Sequence, residues 1–222
     1  MNKSRHWVAV ICLAVLCSAL SRAQQSAANR WEAEIQKFEE SDRQSPPASG
    51  SVLFIGSSSI RLWESLAEDF PGTGVINRGF GGSEIADSIF YVERIVTPYR
   101  PRIVVLYAGD NDLANGKTPQ QVFEDYKEFV GRVQRKLPAA RIAFIAIKPS
   151  PARASLLRSQ KEANGLIKAH ASRDKRLIYI DVFTPMLGAD GSPRPELFGP
   201  DELHMNKEGY RLWKSVIAPH LR

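Results

Sequence analysis

Four short stretches of this 222-residue chain carry side chains equipped for chemistry. Gly56-Ser57-Ser58-Ser59-Ile60 sets hydroxyls directly behind a glycine that permits a tight strand-to-helix turn. A hydroxyl at a helix start meets free backbone N–H groups, which favour developing negative charge. By itself the stretch admits a helix-capping serine, a phosphate or flavin cradle, or a nucleophile. A serine nucleophile needs a base, usually histidine. Beyond residues 1–23 the candidates are His170, His204 and His220. His170 ends a basic helical pattern and His220 is near the C-terminus, so both read as surface residues. His204 lies in Asp201-Glu202-Leu203-His204, just before the last helical pattern. There Asp201 can fold back to accept the imidazole Nδ1–H while Nε2 turns to a serine.

Acyl transfer also needs donors for an oxyanion. Asn77-Arg78-Gly79-Phe80-Gly81-Gly82-Ser83-Glu84 is a glycine-rich turn able to present a backbone N–H, and Gly109-Asp110-Asn111-Asp112 offers a side-chain amide. Each is most simply a turn; their joint placement is what points to a site.

The elements that must position these stretches are legible in the hydropathy pattern. Apolar runs at residues 51–55, 74–77, 103–107, 142–147 and 177–181 alternate with helical patterns at 59–68, 84–97, 118–137, 154–172 and 206–217. Runs such as Ile103-Val104-Val105-Leu106 lack polar alternation, as in strands covered on both faces. The pattern predicts a doubly wound α/β domain with a parallel sheet, whose ligands sit beyond the carboxyl ends of the strands. In the order 2-1-3-4-5, the second and third strands flank the first, so both donor turns converge on the serine.

With these blocks in place the chain resembles the SGNH hydrolases, a branch of the GDSL esterase/lipase superfamily, from Ser51 to about Leu221. The Gly-Asp-Ser block aligns with Gly56-Ser57-Ser58, the second block's glycine with Gly82, and Gly-x-Asn-Asp with Gly109-Asp110-Asn111-Asp112. The Asp-x-x-His block is Asp201-Glu202-Leu203-His204. The resemblance implies a flavodoxin-like three-layer α/β/α sandwich with a five-stranded parallel sheet. It also implies Ser58 as nucleophile with His204 and Asp201, and an oxyanion hole of the Ser58 N–H, the Gly82 N–H and the Asn111 amide. One position departs: Ser57 stands where the family has aspartate. Ile60 occupies the place of the second glycine of a Gly-x-Ser-x-Gly elbow, which argues against the larger α/β-hydrolase fold.

Residues 1–23 read separately, as a secretory signal peptide. Lys3 and Arg5 precede an apolar run from Trp7 to Cys17, and Ser21-Arg22-Ala23 is a small-x-small cleavage site. The expected location is secreted or periplasmic, without stable membrane insertion after cleavage. Removing Lys3, Arg5 and Arg22 lowers the formal charge from +6 to +3 and weakens any nucleic-acid reading. Both cysteines, Cys12 and Cys17, leave with the signal, which excludes a nucleophilic cysteine in the mature chain. Residues 24–50 read as a flanking helix, with Trp31, Ile35 and Phe38 on one face, followed by a Pro-rich linker; residues 51–222 form the hydrolase domain.

The expected reaction is hydrolysis of short acyl esters, acetyl above all, on carbohydrate or another polar alcohol, without metal or organic cofactor. Phe80, Trp63, Lys148 and Arg153 are candidate pocket-lining residues, although core packing or a solvated turn would account for them as well. Alternatives are a lysophospholipase or short-chain lipid esterase, an acyltransferase using the same residues, and a catalytically silent sandwich binding glycan or flavin.

Overall fold

The computed structural model describes residues 29–221, so the expected signal segment lies outside the described residues. Five strands, β1 (Val52–Gly56), β2 (Val75–Gly79), β3 (Ile103–Tyr107), β4 (Arg141–Ile145) and β5 (Leu177–Ile180), pair in parallel in the order β2-β1-β3-β4-β5. Side chains alternate across a strand, and here each face has its own core. Leu53, Ile55, Val104, Leu106, Ile142 and Phe144 lie in one apolar cluster. Val52, Phe54, Ile103, Val105, Ala143 and Ile145 lie in the other. The uninterrupted apolar runs are therefore the signature of a sheet buried on both sides.

The first face is covered by α1 (Glu32–Gln44), α4 (Ile85–Ile95), α6 (Pro119–Lys136) and α7 (Leu157–Ala171). The second is covered by α2 (Ser58–Arg61), α3 (Leu66–Asp69) and α8 (Lys207–Ile217), while α5 (Asp110–Ala114) follows β3. Among the described residues no helix is long and apolar enough to cross a membrane.

The helix expected over residues 59–68 is two short helices. Trp63 turns inward between them, packing with Phe54, Phe70, Tyr210 and Trp213, and its indole donates to Asp69 Oδ2 at 2.7 Å. Burying that indole with a satisfied N–H outweighs helix continuity, since a buried Trp both removes a large apolar surface from water and needs an acceptor. Trp63 (1 % exposed) and Phe80 (0 %) are thus core residues, which corrects their expected place in the pocket.

The N-terminal helix is integral to the domain. Ile35 is fully buried, and Arg94 on α4 grips Glu32 and Glu39 of α1 through hydrogen bonds of 2.7–3.0 Å.

Candidate active site

Gly56 closes β1 with φ +134°, and an added Cβ would lie 1.9 Å from the Tyr107 carbonyl oxygen. Only glycine allows the chain to turn there beside β3. The turn leads into α2, where Ser57 and Ser59 are buried at 3 % exposure each and Ser58 alone of the three is partly open. The Ser58 hydroxyl lies 3.0 Å from His204 Nε2, and His204 Nδ1 lies 2.5 Å from Asp201 Oδ2. With Nδ1 donating to Asp201, Nε2 is left to accept the serine proton. Tyr210 on α8 donates to the Ser59 carbonyl at 3.0 Å, which ties the serine turn to the helix after His204.

The loop that carries the acid and base is built to hold them. Asp201 Oδ1 accepts the N–H of Leu203 (3.1 Å) and of His204 (2.9 Å), curling the segment back on itself, and Glu202 takes a left-handed φ of 55°. Gly199 donates to the His204 carbonyl at 2.8 Å beside a Phe198–Met205 bridge. Asn206 caps α8, accepting from Glu208 and Gly209 while donating to Glu196 and Phe198. Hydrogen bonds from the His204 ring, then from the His204 and Leu203 N–H groups, hold the Asp201 carboxyl down to about 2. It stays an anion able to stabilise an imidazolium.

Gly82, with φ +75°, and Asn111 line the same cavity as Ser58 and His204. Among the described residues the Gly82 N–H has no acceptor. The Asn111 amide donates to the Ser83 carbonyl at 3.0 Å and accepts from Arg153 at 3.0 Å, which leaves its second N–H uncommitted. Asp112 explains the residue after Asn111. It is buried, accepts from the Ile85 N–H at the start of α4 and from Lys117, and so locks the glycine turn against the β3 turn.

Lys148 and Arg153 lie behind this surface. Arg153 Nη1 is 2.6 Å from Asp110 Oδ2, and its other nitrogen is the one bonded to Asn111. Lys148, 1 % exposed, donates to the Leu203 carbonyl at 2.8 Å, 3.8 Å from Asp110. Burial pushes its ammonium down to about 8, against the pull of Asp110. Neither side chain lines the cavity, because an ammonium and a guanidinium facing so buried a carboxylate satisfy it instead. Together they connect the Asp201–His204 loop with the Asn111 amide. His170 is half-buried against Phe123 and Tyr126, and neither it nor His220 lines the cavity.

The cavity, about 370 Å³, is lined by Glu34, Arg61, Gly81 and Leu203 as well as Ser58, Gly82, Asn111 and His204. Arg61 follows Ser58 by three residues, a spacing that puts both on one face of α2, so a local signal for it existed. Glu34 had none, since α1 reaches the site only through tertiary packing. Among the described residues no three His, Cys, Asp or Glu side chains gather as a metal cluster.

Residues 56–212 match the GDSL-like Lipase/Acylhydrolase family. The human platelet-activating factor acetylhydrolase IB subunit alpha1 is 27 % identical over 187 residues, covering 82 % of this chain and 78 % of that one. The crystal structure of a GDSL-like lipase from Bacteroides thetaiotaomicron superposes with a TM-score of 0.71 at 19 % identity, covering 85 % of this chain and 97 % of that one. An acetyl esterase mutant with acetate ion gives 0.61 at 15 % identity, covering 77 % and 95 %. A silent glycan- or flavin-binding sandwich is thereby set aside. The strand order, the blocks at the strand ends and these matches lead to one assignment: the chain is an ester hydrolase belonging to the GDSL-like lipase/acylhydrolase family.

Proposed function

We propose that the protein is an exported serine esterase that removes short acyl groups, acetyl above all, from a carbohydrate or other polar alcohol. The observation that carries the reading is the hydrogen-bonded chain from Asp201 through His204 to Ser58, opening into a cavity edged by Gly82 and Asn111. Ser58 Oγ attacks the ester carbonyl carbon as its proton passes to His204 Nε2, and Asp201 stabilises the resulting imidazolium. The Gly82 N–H, the Asn111 amide and the Ser58 N–H, the last at a helix start without an intrahelical acceptor, receive the oxyanion. Collapse breaks the bond to the alcohol oxygen, which takes the proton from His204. Water then attacks the acyl-serine, gives a proton to His204, and the acid leaves as Ser58 recovers its proton.

A short acyl group is supported by the modest cavity and by similarity to a platelet-activating factor acetylhydrolase subunit and to an acetyl esterase. Export rests on the leader of residues 1–23. Ser58→Ala should abolish hydrolysis of p-nitrophenyl acetate while leaving the thermal unfolding temperature near that of the wild type. Full activity in that variant would overturn the assignment.

A further inference from the structure

The helix α1 precedes residues 56–212, which match the family, and it reaches the candidate active site. Its approach is fastened at the glycine turn. Trp31 Nε1 donates to the Gly81 carbonyl at 2.8 Å, and Arg30, stacked 3.6 Å over the Trp31 ring, donates to the Gly82 carbonyl at 3.3 Å. One turn further along, Glu34 enters the wall of the cavity. Its Oε2 is buried and has no hydrogen-bond partner. A buried acceptor left unmatched is unfavourable, so its retention beside a reactive serine points to a donor that arrives with the substrate.

The cavity also contains the opposite sign. Arg61, from the helix of Ser58, lies along Gly81, where an added Cβ would be 2.7 Å from the Arg61 Nε, and its guanidinium has no ion-pair or hydrogen-bond partner among the described residues. A substrate with only a negative group meets Glu34 unfavourably, and one with only a positive group meets Arg61 unfavourably. A neutral alcohol rich in hydroxyls offers an O–H for Glu34 and an oxygen acceptor for Arg61.

We propose that Glu34 and Arg61 form a polyol-binding subsite, which takes the hydroxyl-bearing, carbohydrate-type alcohol of the ester and is supplied in part by a helix that precedes the residues matched by the family. This rests on the serine esterase reading above and names the part of the site that selects the alcohol. Glu34 and Arg61 act on binding and orientation, whereas bond making and breaking stay with Ser58 and His204.

The test compares kcat/KM for a monoacetylated monosaccharide with that for p-nitrophenyl acetate, which has the same acyl group and no hydroxyl. The ratio within one protein sample cancels any difference in folded fraction. It should fall at least tenfold in Glu34→Leu and in Arg61→Met, and by less in Glu34→Gln, whose amide oxygen still accepts a hydroxyl. An unchanged ratio in both Glu34→Leu and Arg61→Met would overturn the subsite. So would wild-type preference for acetylcholine, a cationic acetyl ester without an O–H, over the acetylated sugar. Wild-type hydrolysis of neither the sugar ester nor p-nitrophenyl acetate would instead overturn the underlying esterase reading.

Discussion

Replacing Lys148 by Met tests whether the buried cation serves the site or only the fold. The ammonium is 1 % exposed and held at about 8 rather than 10.5, a difference equivalent to about 3 kcal/mol of opposition to the charged form in the folded state near neutral pH. Met fills a similar volume without that opposition. Against this, the Leu203 carbonyl loses a charged donor at 2.8 Å, worth roughly 1.5–3 kcal/mol. The two effects largely cancel, so the free energy of unfolding should change by less than about 2 kcal/mol. Activity should not be spared in the same way. Leu203 lies between Asp201 and His204, and a displacement of order 1 Å at reacting groups costs about a hundredfold. We expect kcat/KM for p-nitrophenyl acetate at pH 7 to fall between tenfold and a hundredfold. The pH dependence gives a second reading. Lys148 releases its proton at about 8 when folded and at 10.5 when unfolded, so it makes stability rise with pH between those values. Over the same interval the charged donor to Leu203 is lost, so wild-type activity should decline above about pH 8 while stability increases. Lys148→Met should lack that decline. Activity within threefold of the wild type at pH 7, with the alkaline decline intact, would refute a positioning role.

Other perturbations have equally definite outcomes. Gly56→Ala places a methyl 1.9 Å from the Tyr107 carbonyl oxygen at a φ of +134°, so it should destabilise the protein by more than about 3 kcal/mol, read as a large fall in the denaturation midpoint or loss of soluble protein. A midpoint near that of the wild type would mean the β1 turn is looser than described. Asp87 is 8 % exposed, and burial raises its carboxyl to about 6. Because the folded pKa lies above the ordinary 3.8, its contribution to stability is fully present below about pH 4 and is lost as pH rises through about 6. Asp87→Asn, which keeps an acceptor for the Glu84 N–H, should lessen that part of the stability loss, leaving the share of Asp112, whose carboxyl burial also raises to about 6, as followed by urea unfolding at pH 4, 5, 6 and 7.

Much of the architecture could be read along the chain because its causes are local or periodic. A strand buried on both faces must be apolar at consecutive positions, as Ile103 to Leu106 are, and the parallel order places the ends of β1, β2 and β3 side by side. Ser58, Gly82, Asn111, Asp201 and His204 stand in short blocks whose spacing is itself informative. The interrupted helix after Ser58 was not legible, because it depends on where the Trp63 indole finds an apolar pocket and the Asp69 acceptor.

What the sequence by itself determined is the α/β class and the residue types at the strand ends, since both follow from periodicity and from the short-range demands of turns. Only the tertiary structure decided which side chains face the cavity. Phe80 and Trp63 turn into the cores, because large apolar surfaces gain most by leaving water. Lys148 and Arg153 turn toward Asp110 behind the wall, because buried charges require partners. Glu34 stands more than twenty residues before Ser58 and is brought there by Trp31, Ile35 and the Arg94 ion pairs; the apolar face of its helix was legible in the sequence, but the surface it packs against was set only by the tertiary fold.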